Sequence, residues 1–279
     1  MNDRHKRQSF LGESSEQIIA KAKIGIIGLC GGGSHIAQQA AHIGFQGILA
    51  CDFDHVEDHN LTRMIGSTPQ DAAQAEKKTA VIERLVKSIL PTSLIKVIDQ
   101  PWQERELDFR DCDVIFGCVD SLAVRADIER FCRRYLIPYI DVGMDVYEVA
   151  DGFAIAGQVI TSLPHGPCMK CLSYLTDERL AAEHARYGAA GGRPQVVWPN
   201  GVLASIAIGQ LMALLTPWNA RVKPQFMIEY DGNAPLAEPS RRLEFISGAS
   251  CPHFDAAGAI GDPFFKVRLT QPVPKLDKA

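Results

Sequence analysis

The sequence lacks an uninterrupted apolar run that would cross a bilayer comfortably. Its most apolar segment, Val202 to Leu215, is broken by Ser205, Gly209 and Gln210. A span needs about 20 predominantly apolar residues, so this segment is expected to be a buried helix. The first ten residues, MNDRHKRQSF, carry no apolar stretch of the secretory kind. Long basic runs are missing as well: none exceeds the short one around Lys6-Arg7, and the formal net charge is -4. Neither a DNA nor a membrane partner is expected from that balance. The eight cysteines show no framework spacing, which fits free thiols in a reducing cytoplasm. Internal repeats are absent too. What remains, 279 residues with 46% hydrophobic content, suffices for one large α/β domain or two small ones.

Apolar runs and helical patterns alternate along the chain. Residues 1–22 read as an arm and a short helix. Strands are expected at 24–28, 48–51, 94–98, 113–118, 139–142, 154–161, 226–230 and 243–245. Helices are expected at 34–44, 77–90 and 122–136, with a buried helix opened by Pro199-Asn200. This β-α-β-α order predicts a doubly wound, Rossmann-like, mainly parallel sheet with helices on both faces. The polar stretch 176–195, glycine-laden near its end, is expected to be a mobile crossover connection, and 262–279 a loosely held tail.

Between the first strand and helix lies "GLCGGGSH", residues 28–35. Strand, glycine turn and helix form a phosphate-binding grammar, because backbone N–H groups at a helix N-terminus can face an anion. The pattern G-x-G-x-x-G has Cys30 at its second glycine. Asp52, at the end of the second strand, suits ribose hydroxyls, which NAD and ATP share. Three further stretches separate the two. "DFDHVEDHNLTR" (52–63) supplies Asn60 and Arg63, "EKKTAVIERLVKSILP" (76–91) supplies Lys77 and Lys78, and "CVDSLAVR" (118–125) supplies Asp120. Several cations and a metal carboxylate on the ligand edge of one sheet suit a triphosphate under cleavage better than a dinucleotide.

These segments resemble the ThiF/MoeB/HesA adenylyltransferases, bacterial relatives of ubiquitin-activating enzymes. The resemblance runs from Arg7-Gln8 to about Cys251 and includes Gly157-Gln158-Val159. It implies an ATP site built from Gly28, Gly31, Gly33, Asp52, Asn60, Arg63 and Lys78 (Lys77 as the fallback), with Mg²⁺ on Asp120. It also implies a homodimer in which Arg7 enters the partner's active site. The partner would be a ubiquitin-like or sulfur-carrier protein ending in glycine. "HGPCMKC" holds Cys168 and Cys171, a turn suited to zinc or to redox chemistry. The resemblance favours structural Zn²⁺ completed by Cys251. In "SCPHFD" the expected fourth ligand is Phe254, so His253 is the natural substitute, with Asp255 or water as alternatives. Residues 172–202 contain no cysteine, so adenylation without a thioester on the crossover is expected. Competing readings are activation of a small-molecule or tRNA-base carboxylate, an NAD-dependent oxidoreductase, and a non-catalytic scaffold.

Overall fold

A computed structural model describes residues 3–185, 194–219, 221–246, 251–254 and 261. The 3-10 helix Asp3–Leu11 and helix α1 (Ser15–Lys21) precede the first strand, β1 (Lys23–Ile27). Then come α2 (Gly31–Ile43), β2 (Gly47–Cys51), α3 (Pro69–Ala73), α4 (Lys78–Ile89), β3 (Lys96–Ile98), β4 (Val114–Gly117) and α5 (Leu122–Arg134). A long hairpin follows, β5 (Tyr139–Val149) and β6 (Gly152–Ser162), and after it α6 (Asp177–Ala185), α7 (Val197–Leu215), β7 (Met227–Asp231) and β8 (Leu236–Pro239). The described strands form one sheet in the order β3-β2-β1-β4-β5-β6-β7-β8. The pairs from β3 to β5 are parallel. Those from β5 to β8 are antiparallel. The doubly wound reading thus holds for the first five strands, and an antiparallel extension completes the sheet.

β1, with sequence KIGII, is apolar and buried beyond Lys23 because helices cover both its faces. One core joins the sheet to α2, α4 and α7 through Ile26, Ile36, Val81, Ile82 and Leu203. The other lies on the opposite face, where Phe109, Ile128, Phe131 and Tyr139 pack with the 168–175 segment. α7 is 19 residues long and long and apolar enough, by length and composition alone, to cross a membrane. It instead buries Leu203, Ala204, Ala207 and Leu211 completely. Each buried leucine stabilises the fold by about 1.5–3 kcal/mol.

The helix starts at Val197, two residues before Pro199, which is tolerated in the first turn because no helical hydrogen bond is due from its nitrogen. The segment 243–245 is not a strand. Ser240 accepts a hydrogen bond from the Arg242 N–H and turns the chain into the 3-10 helix Arg241–Phe245. The sheet edge is taken by β8. Within 176–195, residues 177–185 are helical, and 186–193 lie outside the described residues, as does the tail 262–279.

Candidate nucleotide site and metal cluster

The glycine turn is wedged between the ends of β2 and β4. Gly28 has φ +87°, and a Cβ there would stand 2.5 Å from the Cys118 carbonyl oxygen. Its N–H donates to the Cys51 carbonyl at 2.9 Å. A Cβ on Gly33 would fall 1.8 Å from the Gly28 oxygen, so this glycine lets α2 start directly against the strand. Gly31 owes its small size to a different neighbour: Asn200 of α7 lies 2.7 Å from its ideal Cβ. Cys30 is the N-terminal cap residue of α2 and supplies no side-chain cap. It packs, half-buried, against the first core. The leading N–H groups of α2 have no intrahelical partner and are the donors an anion would use.

The acids and bases cluster around this turn. Asp52 accepts from the Leu29 N–H at 2.8 Å and from the Asp54 N–H at 2.9 Å. Burial pushes its carboxyl above the ordinary range, and nearby Lys78 opposes that rise. Lys78 is buried, with Nζ 2.8 Å from the Asp54 carboxylate. Burial pulls its ammonium down, but Asp52 and Asp54 more than offset it, so its pKa lies above the usual value. Lys77 is the α4 cap residue, and Lys78 is the lysine whose ammonium enters the loop. Asn60 is buried, and its Oδ1 accepts from the Glu57 N–H at 3.0 Å, closing the loop. Arg63 gives one donor to the His59 carbonyl at 3.1 Å. Its Nε is buried without a partner among the described residues. The Ile65 N–H donates to Ser34 Oγ at 3.0 Å, which pins this loop to the first turn of α2.

Asp120 follows β4, is exposed, and makes no hydrogen bond or ion pair among the described residues. The cap of α5 is its neighbour Ser121, which accepts from the Val124 N–H at 3.3 Å. Glu183 of α6 comes to the same helix end. Its carboxylate accepts from Leu122 N–H at 2.8 Å, Ala123 N–H at 3.1 Å and the Ser121 hydroxyl at 3.2 Å. Nothing in the sequence singled out Glu183, one acid in a polar stretch. Arg7 is not brought to this edge in its own chain. His5 packs on Gly44, the C-terminal cap of α2. The 13 residues of α2, at a rise of 1.5 Å each, set that end about 20 Å from the glycine turn. A hollow of about 660 Å³ lies on the outer face of α2 and α7, lined by His35, Gln39, Trp198, Val202, Ser205 and Ile206. It holds no Lys, Arg, Asp or Glu and is separate from the charged edge.

The second cluster lies on the far face of the sheet. Cys168 Sγ is 3.6 Å from Cys171 Sγ, and Cys171 Sγ is 3.5 Å from Cys251 Sγ. His253 Nδ1 is 3.4 Å from Cys168 and Cys171 and 3.9 Å from Cys251. Tetrahedral zinc with ordinary bond lengths requires ligand separations of about 3.5–3.8 Å, so these four atoms fit one cation. Phe254 faces Arg133 instead, with the guanidinium 5.2 Å from the ring centroid. Arg133 also donates to the Gly166 and Pro167 carbonyls, and Glu129 accepts from the Met169 N–H at 2.9 Å. The Cys168 turn is thereby bolted to α5. Asp255 lies outside the described residues.

The ThiF family model matches residues 3–244. The chain belongs to the ThiF family. It is 27% identical over 135 residues to the tRNA threonylcarbamoyladenosine dehydratase of Escherichia coli K12, covering 47% of this chain and 50% of that one. It is 27% identical over 181 residues to the sulfur carrier protein ThiS adenylyltransferase of the same organism, covering 62% and 69%. The chain spans about half the length of the first of these curated relatives. The solved structure of Escherichia coli MccB with ATP shares the fold, with a TM-score of 0.70 at 18% identity, over 94% of this chain and 75% of that one. In this ThiF-family chain the residues expected at the nucleotide all gather on one sheet edge. The four expected metal ligands gather on another face, and Arg7 joins neither.

Proposed function

We propose that this ThiF-family chain uses ATP to adenylate the C-terminal glycine carboxylate of a ubiquitin-like or sulfur-carrier protein. The observation that carries this reading is the Arg63 Nε, which has no partner among the described residues, on the same edge as Lys78, the glycine turn and the exposed Asp120 carboxylate. In the reaction, a carboxylate oxygen attacks the α-phosphorus. The bond from that phosphorus to the bridging oxygen breaks, and pyrophosphate departs with the electron pair, leaving an acyl-adenylate. An α-carboxyl titrates at about 3.3–3.7, so the nucleophile is already ionised at neutral pH and needs no base. The barrier is repulsion between anions, about 4 kcal/mol for each like pair at 4 Å and an effective dielectric near 20. Arg63 and Lys78 offset it, the α2 N–H groups hold phosphate oxygens, and Asp52 retains lone pairs for the ribose. Asp120 would hold Mg²⁺, which binds through one or two carboxylates plus phosphate oxygens and neutralises them. Zn²⁺ in the Cys168, Cys171, Cys251 and His253 cluster would be structural.

No cysteine occurs in 172–202, so the acyl-adenylate does not pass to a thiol there. No disulfide joins any of the eight cysteines, in keeping with a reducing setting. The chain acts as a homodimer, with Arg7 serving the partner's site. The test is ATP–pyrophosphate exchange, expected to require Mg²⁺ and a Gly-terminated carrier. Asp120→Ala is expected to lower it by about 10²-fold, the effect of losing one electrostatic stabiliser. Unchanged exchange in that variant removes Asp120 from the site. A second reading, activation of a tRNA-base carboxylate, draws on the similarity to the dehydratase. Exchange that responds to tRNA and not to carrier supports it instead.

A further inference from the structure

Arg125 is nearly completely buried in the first turn of α5, and its guanidinium reaches back beneath the β4–α5 turn. One amino group donates to the Asp141 carboxylate, the other to the carbonyl oxygen of Val119. Val119 is the residue immediately before Asp120. A guanidinium facing a carboxylate would ordinarily spend two parallel donors on it. Here the fork is split between carboxylate and carbonyl, and Nε is buried without a partner among the described residues. Asp141 is fully buried and also accepts from the Tyr139 hydroxyl at 2.8 Å. Two glycines make room for this group. A Cβ on Gly117 would lie 2.1 Å from the Tyr139 hydroxyl oxygen, and one on Gly143 would lie 2.9 Å from the Arg125 amino group and 2.0 Å from Gln158 Nε2.

Removing an ion pair from water is costly, and well-packed apolar side chains of similar volume often stabilise a fold as well or better. A buried Arg–Asp pair with a tyrosine hydroxyl and two obligate glycines is therefore an expensive way to fill this volume. Its one connection to the exposed edge is the Val119 carbonyl. We infer that Arg125, anchored by Asp141, is a positioning residue that fixes the backbone just before Asp120 and so sets the geometry with which Asp120 meets a divalent cation on nucleotide phosphates. The inference rests on the reading of Asp120 as the metal carboxylate.

The experiment measures Mn²⁺ binding by electron paramagnetic resonance in the presence of a non-hydrolysable ATP analogue, together with the Mg²⁺ dependence of pyrophosphate exchange. Arg125→Met is expected to weaken Mn²⁺ binding by about 10-fold, in the range found when a metal ligand loses its outer support, and Arg125→Lys to recover part of that loss. Metal-free binding of the analogue is expected to stay unchanged. If Arg125→Met does not fold, Arg125→Lys and Asp141→Asn carry the test. In an Asp120→Ala background the Arg125→Lys effect is expected to vanish, because the two residues act through one group. Lower melting temperatures with an unchanged cation requirement would overturn the inference and leave Arg125 a purely structural residue. Unchanged Mn²⁺ binding in Asp120→Ala alone would instead overturn the reading of Asp120 beneath it.

Discussion

Asp71 closes the far end of the loop that carries Arg63. Its carboxylate receives two guanidinium donors of Arg84, at 2.9 and 2.8 Å, and the Thr68 N–H at 2.8 Å. Chiefly through Arg84, its pKa is lowered to about 2. An unfolded aspartate titrates at about 3.9. Asp71 therefore contributes stability that is complete above the unfolded value and is lost as pH falls through the folded one. Asp71→Asn is expected to lower the melting temperature near neutral pH. The cost is roughly 1–2 kcal/mol, a figure discounted because Arg84 is half-exposed. The gap to the wild type is expected to narrow as pH falls from about 5 to below about 2, as first the unfolded and then the folded state protonates. Melting curves across that range check it, and a gap of constant size would break the linkage.

Among elements, the Cys168 turn joins two parts of the chain that the backbone keeps far apart. Purified protein is expected to contain about one zinc per chain. Stripping it should lower the melting temperature, since structural zinc contributes about 10 kcal/mol of apparent binding free energy. Metal analysis of wild type and His253→Ala separates the two parts of the proposal: absence of zinc in the wild type removes the site, and full retention in the variant removes that ligand only. The C-x-x-C half of this cluster was legible in the sequence because a tight turn dictates the spacing. The glycine turn and the buried strands were legible too, because helices on both faces demand unbroken apolar runs. Other elements left no such mark. β8 is exposed throughout and is held through backbone pairing, so its side chains announce nothing. The outer half of β5, beyond Val142, is mostly exposed for the same reason. Residues 243–245 looked like a strand by their apolar ends, but the Ser240 cap three residues earlier decides their conformation. Arg125 and Asp141 are 16 positions apart, and no local pattern pairs them.

The whole molecule keeps its N-terminal arm away from its own nucleotide edge. Arg4 donates to the Ile89 carbonyl at the end of α4, and His5 covers the end of α2. If Arg7 serves a partner's site, Arg7→Ala and Asp120→Ala homodimers are each impaired. Refolding the two variants together then creates mixed dimers with one intact site, and exchange activity partly returns. No recovery in confirmed mixed dimers would rule out action across the interface. The change of strand direction at β5 also orders the molecule in time. Ile24 pairs with Val114, whereas Val149 pairs with Gly152. The nucleotide edge must wait for a long loop to close, while the hairpin can zip within about 1–10 μs of being made. At about 5–20 residues per second of synthesis, Cys251 and His253 follow Asp141 by on the order of ten seconds. A cation that reaches the nascent chain in that interval finds Cys168 and Cys171 at most, half of the set that will hold it.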